Sequence, residues 1–366
     1  MGESYFFLVV MEIDGHASSP IIGSTPSCRQ SQFGWTENHW FTVGNKGKAM
    51  KLHQLQALVA VADCGSIRAA ARQIEVSQTA VAKALRELEN DLKLPLLVRN
   101  ASGGVLTQYG RSLLLHARQM LSQLEQAKLE LTHLRGQAEG HLRLGISPWM
   151  GLTLLPEAVL LFRQRMPQVR LEIFEGLMAV TLPRLREGTM ELAIGLVSAL
   201  LPRLEFTCEP LFSYEMAVVA RHGHPKQHCR SIHDLLDQDW VVNYPDANHD
   251  VLMNELFWQH DAHIAMERVQ RAQSLLLMSA LLEQTDMLSY CPEPMLTVPG
   301  LHGRMVRLDL DESFATDIIG IVTSRNSQPG IAAQCFIDCI LQVVRRRSRS
   351  SKMEDRHLFD TLELLI

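Results

Sequence analysis

No long hydrophobic run crosses this sequence, aromatic residues make up only 6 % of it, and neither sign of charge dominates, with 35 basic against 40 acidic residues. Each shortage closes a class of explanation. Without roughly 18 consecutive apolar residues no membrane-spanning helix is expected, and no membrane partner. The apolar start from Tyr5 to Met11 lacks a basic flank and runs into Glu12 and Asp14, which makes it a poor secretory signal. The seven cysteines are odd in number and follow no repeating spacing, an argument against a disulfide framework and for the reducing cytoplasm. Catalytic signatures are missing too: no Gly-x-Ser-x-Gly elbow, no phosphate-binding Gly-x-Gly-x-x-Gly after a strand, no His-Glu-x-x-His. Nothing asks for an enzyme. His222, His224, His228, Cys229 and His233 fit no standard zinc spacing, so neither a metal nor any other cofactor is expected.

What is there is an ordinary globular composition, 46 % apolar and 20 % charged, in a chain of 366 residues, long enough for two or three domains. Residues 1 to 49 are rich in Ser, Gly, Pro and Asn without period and read as an unstructured extension or an upstream start ahead of Met50. Between Lys51 and Arg135 eleven basic residues face seven acidic ones, which places any nucleic-acid footprint near the front. There the apolar spacing gives helices over 53–62 and 67–74, and a third opened by Ser77 and closed before Pro95. A tight hairpin over 98–107 follows, with Gly103-Gly104 at its tip. Three helices and a hairpin describe a winged helix over 50–107.

Thr107 then caps a long helix running to Leu134, expected to fill a linker over 108–139. Leu113, Ala117, Met120, Leu124, Ala127, Leu131 and Leu134 recur in steps of four and three along it, the seam of a coiled coil with a second copy. After Gly140 strands alternate with helices, which predicts a parallel sheet covered on both faces. Two α/β lobes sharing a cleft are expected, lobe I over about 140–207 and 306–345 and lobe II over about 208–305. The run Arg345-Arg346-Arg347 and the tail 346–366 read as a solvated appendix.

The block Leu58-Val59-Ala60-Val61-Ala62-Asp63-Cys64-Gly65-Ser66-Ile67-Arg68-Ala69-Ala70-Ala71, followed by Val76-Ser77-Gln78-Thr79-Ala80-Val81, Leu88-Glu89, Leu94-Pro95-Leu96-Leu97-Val98-Arg99, Leu106-Thr107 and Gly110, resembles the signature of LysR-type transcriptional regulators. Ile67 and Leu97 stand where that family favours Phe, Thr79 where Pro is common and Ala82 where Ser is frequent. The stretches 96–99 and 135–141 are similar to a branch that includes regulators of aromatic sulfonate degradation. The resemblance implies a mixed fold: an all-α winged helix-turn-helix, a linker helix, and a two-lobed α/β effector domain like a periplasmic binding protein. It also implies partners: double-stranded DNA, a small-molecule effector such as an organic acid or aromatic compound, a homodimer that pairs into a homotetramer, and RNA polymerase.

In a helix-turn-helix the second helix lies in the major groove. Ser77 caps that helix; Gln78 and Thr79 stand on its first turn, where Gln bonds adenine and Thr meets a base or a methyl; Lys83 and Arg86 reach phosphates or guanine. An ordinary capped helix with a polar face reads the same way by itself. Arg99 and Asn100 at the hairpin suit the DNA backbone, or a plain surface. For the effector, ligands bind beyond the carboxyl ends of parallel strands. That singles out Ser147 and Trp149 after the first strand, Glu175 and Met178 after the second, Gly195 at the third, and Asn243, Tyr244, Gln273 and Ser274 across the cleft. In the resembled family the positions of Ser147 and Ser274 meet the effector, yet either could be a bare helix cap. The rival function is a binding module or transport-type receptor whose helical front serves only to oligomerise; it would have no use for Gln78, Thr79, Lys83, Arg86 and Arg99 together.

Overall fold

The computed structural model describes residues 50–100, 103–134, 140–197, 201–244, 248–326 and 328–366. The extension expected over 1–49 lies outside them. The first helix, α1 (Leu52–Cys64), stops where Gly65 takes φ 70°, a left-handed position that costs glycine little. The hydroxyl of Ser66 accepts the Ala69 N–H and opens α2 (Ile67–Gln73). Ser77 does the same for Ala80 and opens α3 (Gln78–Leu92). Leu58, Val61, Ala70, Ala71, Val81, Leu85 and Leu88 close the core of this unit, the alanines letting the helix backbones approach.

The wing is a two-stranded antiparallel ribbon, β1 (Leu97–Asn100) and β2 (Gly103–Leu106). Two polar side chains fasten it. Glu89 Oε1 accepts the N–H groups of Leu96 and Leu97 at 2.8 and 3.0 Å, and Thr107 donates to the Pro95 carbonyl while accepting the Gly110 N–H at 3.0 Å. The latter bond starts α4 (Gln108–Leu134), 27 residues and therefore about 40 Å long.

The effector domain opens with β3 (Gly140–Ile146), α5 (Pro148–Thr153), α6 (Leu155–Arg165), β4 (Val169–Glu175), α7 (Met178–Arg186) and β5 (Leu192–Leu196). Strand β3 pairs in parallel with β4 on one side and β5 on the other, so three carboxyl ends finish together. The chain continues through β6 (Phe206–Arg221), β7 (Trp240–Val242), α8 (His249–Leu256), β8 (Val269–Arg271), α9 (Leu275–Gln284), β9 (Ser289–Pro292), β10 (Met305–Arg307), β11 (Thr316–Ser324) and α10 (Ile331–Arg347). A short helix α11 (Met353–Asp360) and a strand β12 (Glu363–Leu364) end it.

The main sheet runs β10-β6-β11-β5-β3-β4 and is mixed rather than parallel, because β11 pairs antiparallel with both β5 and β6. The lobe boundaries expected near 207 and 306 also move. Strand β6 crosses unbroken: its first part pairs with β11 in lobe I, and from Met216 onward it pairs with β9 and β10 in lobe II. The boundary thus falls inside β6, after Glu215, and the return lies between β10 and β11. Helices α5 and α6 are parted at Leu154, just ahead of Pro156.

The tail is the larger correction. Rather than a solvated appendix, α11 buries Leu358 fully and sets Phe359 edge-on to Phe212, ring centroids 6.2 Å apart, while β12 adds a strand to β6. Arg347 is mostly buried, pairs with Asp355 and donates to the Thr153 carbonyl at 2.6 Å. Burial alone would raise the Asp355 carboxyl; hydrogen bonds from Ser350 and Arg347 more than offset it and hold it below the usual carboxylate range. Leu358→Ala is accordingly expected to cost about 2–5 kcal/mol in urea unfolding of the effector domain, the range for a buried leucine lost from a packed core. An unchanged unfolding midpoint would show that the tail is not part of it.

Candidate DNA interface and effector cleft

Helix α3 divides cleanly. Val81, Ala84, Leu85 and Leu88 face the core, and Gln78, Thr79, Ala82, Lys83 and Arg86 fall on the opposite side, within an arc of roughly 140° at 100° per residue. Gln78, Thr79, Lys83 and Arg86 are exposed. The Ser77 hydroxyl, besides capping, shares a hydrogen bond with Thr79 at 2.8 Å, which fixes the Thr79 rotamer at the tip of the helix. Lys83 lies 3.8 Å from Glu87, an exposed pair easily exchanged for a phosphate, and the Arg86 guanidinium donates to the Ala82 carbonyl at 3.1 Å. Arg99 and Asn100 sit on β1 opposite Gly104 and Gly103. Their side chains lie outside the described set.

In the effector domain the strand ends meet as expected. The Ser147 N–H donates to the Ile194 carbonyl at 2.8 Å and the Gly176 N–H to Ile146 at 3.1 Å, tying the ends of β3, β4 and β5 into one rim. Two serines that read alike in the sequence part company here. Ser274 accepts the Leu277 N–H and is an exposed helix cap. Ser147 makes no cap bond, and its buried hydroxyl has no hydrogen-bond partner among the described residues. Trp149 is 1 % exposed and its indole N–H is equally unpaired among the described residues, and across the cleft the buried Asn243 side-chain oxygen finds no donor among them. Tyr244 shares a hydrogen bond with His249 at 3.0 Å and lies under the Arg271 guanidinium. Gln273 and Glu175 are exposed at the margins. Met178 and Gly195 spend themselves on each other: a Cβ at Gly195 would lie 2.7 Å from the Met178 sulfur, so these two pack α7 onto β5 instead of offering groups to a ligand.

The cluster of histidines has structural work: His224 accepts the Lys226 N–H on Nδ1 and so donates from Nε2 to the Asp286 carbonyl at 2.9 Å. Burial pushes the thiols of Cys208 and Cys229 up, Cys291 to about 12 and Cys339 to about 11, so at neutral pH these four are thiols and poor nucleophiles.

Sequence reasoning missed the joint between the two units. Arg118 of α4 pairs with Asp63 of α1 and with Glu187 just beyond α7. Gln119 donates to the Arg186 carbonyl and Ser122 to that of Gly188, each at 2.8 Å, with Gly188 at φ 71°. A mainly apolar cavity of about 290 Å³ lies beside this joint, lined among others by Leu121, Leu129, Met166, Val169 and Ile331. These residues are far apart in the chain and none announces the contact alone.

A winged helix-turn-helix with an open polar face, joined to a two-lobed α/β domain with unpaired polar groups at its strand ends, defines a ligand-responsive DNA-binding regulator. The comparisons with known proteins agree: the model of the LysR-family bacterial regulatory helix-turn-helix matches residues 52–111 and that of the LysR substrate binding domain matches 135–345. The chain belongs to the LysR family of transcriptional regulators. It is 31 % identical over 271 residues to the SDS degradation transcriptional activation protein of a Pseudomonas species, covering 71 % of this chain and 84 % of that one. It is 27 % identical over 307 residues to the HTH-type transcriptional regulator GalR of Pseudomonas putida, covering 83 % and 77 %. A full-length OxyR variant from Pseudomonas aeruginosa shares the fold at a TM-score of 0.59 and 18 % identity, covering 81 % and 95 %. Among the described residues no helix is long and apolar enough to cross a membrane.

Proposed function

We propose that this regulator works in the cytoplasm, without catalysis, as a homodimer that reads DNA with Gln78 and Thr79 and responds to a small molecule held at Ser147, Trp149 and Asn243. The observation that carries the DNA reading is the exposed arc of α3, set at the end of a helix whose opposite face is the core of the unit. Base contacts come from the first turn, and Lys83, Arg86 and the wing residues Arg99 and Asn100 meet the backbone, which positions without reading sequence.

Dimer formation is supported by α4. Leu113 and Ala117, expected in a seam between copies, pack instead in the core of their own unit. Met120, Leu124, Ala127 and Leu131 stay exposed at the coiled-coil spacing, and that shorter stripe is the surface a second copy covers. Exposed leucines on the effector domain, Leu160 of α6 and Leu276 and Leu277 of α9, suit pairing of dimers into a tetramer. RNA polymerase is the further partner this class of activity calls for.

Gln78→Ala is expected to weaken specific binding by about 1–3 kcal/mol and to relax base preference, whereas Arg86→Ala weakens binding to every sequence alike and flattens its salt dependence. Binding-site selection and salt titration on the two variants check this. An unchanged preferred site in Gln78→Ala would remove that residue from base reading.

A further inference from the structure

The rings and carboxylates around Trp149 say more about the ligand than the strand ends do. Tyr214 stands edge-on to Trp149, centroids 6.0 Å apart, and directly across the ladder from Tyr214 is Asp317, on the same face of the sheet. From lobe II, Tyr290 approaches with its ring 5.5 Å from that of Phe314. Glu255 of α8, Asp317 and Tyr290 lie within electrostatic reach of one another, and Tyr214 is within reach of Asp317 and Tyr290. Among the described residues neither carboxylate has an ion pair or a hydrogen bond.

We propose that the effector cleft takes a cation, an alkylammonium or arylalkylammonium compound whose nitrogen sits between Asp317 and Glu255 among the rings of Trp149, Tyr214 and Tyr290. The inference rests on the reading of this cleft as the effector site and narrows its chemistry. A further observation points to a ligand independently of the acidic pair. The indole N–H of Trp149, on a residue only 1 % exposed, has no partner among the described residues. Buried polar groups are almost always satisfied, so such an orphan beside Tyr214 marks a place for a missing partner. Burial holds the Asp317 carboxyl above the usual range, and burial together with Asp317 does the same for Glu255. A third negative charge would add to that repulsion, which weighs against a small acid here. A cation relieves it, and aromatic faces add their own attraction for positive charge. Glu255 belongs to lobe II and Asp317 to the lobe I end of the crossover, so one nitrogen between them draws on both lobes.

The test uses the full chain and four probes: phenethylammonium, benzyltrimethylammonium, phenylacetate and hexyl sulfate, each titrated by calorimetry. The ammonium probes are expected to bind about tenfold more tightly than the anions. Asp317→Asn and Glu255→Gln, near-isosteric and on different lobes, are each expected to weaken the ammonium probes by about tenfold. Each should also raise the melting temperature of the free chain, because each removes a desolvated charge that has no partner. The proposal fails if an anion binds as well as the ammonium probes, if neither ammonium probe gives heat at millimolar concentration, or if both variants keep full ammonium affinity. A lower melting temperature in both variants would show that the carboxylates are already partnered, and would overturn it as well. Salt-dependent retention on duplex DNA is read on the same samples. Should it persist while the ammonium probes fail, only the ligand class is lost; should it vanish in the parent chain, the regulator reading goes too.

Discussion

A chain with glutamate at both Met120 and Leu124 is expected to sediment as a monomer and to lose its hold on operator DNA, while the effector domain stays folded and binds ligand as before. In the single chain these side chains are 42 % and 37 % exposed, and Leu131 further along is 60 % exposed, so the substitutions ask nothing of the fold itself. In the paired state the same positions are covered, and each buried carboxylate without a partner costs several kcal/mol. Two per chain make four per dimer, more than an exposed two-helix seam can offset. Operator binding follows the dimer because a two-fold protein meets two half-sites a helical turn apart, and one unit alone reaches only one of them. Analytical ultracentrifugation and DNA retention on the double variant check both parts. A variant that still sediments as a dimer would place the contact elsewhere, with the leucines of α6 and α9 the next surface to examine.

Gly110→Val is expected to destabilise the DNA-reading unit by more than about 3 kcal/mol and to abolish DNA binding, again without disturbing the effector domain. Helix propensity alone favours replacing a helical glycine, by about 1 kcal/mol in the case of alanine. Packing reverses the sign. A Cβ at this buried position would lie 2.2 Å from the Leu96 carbonyl oxygen and 2.9 Å from the Leu106 side chain. The oxygen belongs to the backbone that enters the wing and is held there by the Thr107 N–H at 2.9 Å, so it cannot swing aside as a side chain would. Separate thermal transitions for the two units, followed by DNA retention, check this; a single unshifted transition would mean the wing can move off α4 at little cost.

The DNA-reading unit was legible almost residue by residue, because its helices carry a clear 3.6-residue period and two of them begin at capping serines. The second lobe was less so. Strands β8 and β9 are three and four residues long, too short for alternation to show. The tail was misread because three arginines dominate its start, while its apolar residues, Leu358, Phe359 and Leu362, are few and close together. In the cleft, Ser147 and Ser274 each precede a helix, and only the direction of the hydroxyl separates an orphan from a cap. Glu89, Asp317 and Glu255 were passed over. Asp317 had a visible signal, a lone charge ahead of the apolar run Ile318-Ile319-Gly320-Ile321-Val322, but nothing in one strand tells which charges of another lobe it will meet.

Helix α7 begins at Met178, packed over Gly195 at the rim of the cleft, and ends in the turn whose carbonyls at Arg186 and Gly188 hold Gln119 and Ser122 of α4. Its nine residues span about 13 Å, with Pro183 inside the helix. One short helix therefore touches both the rim of the cleft and the clasp on the helix that carries the DNA-reading head, and it does so within one chain, before any second copy is involved.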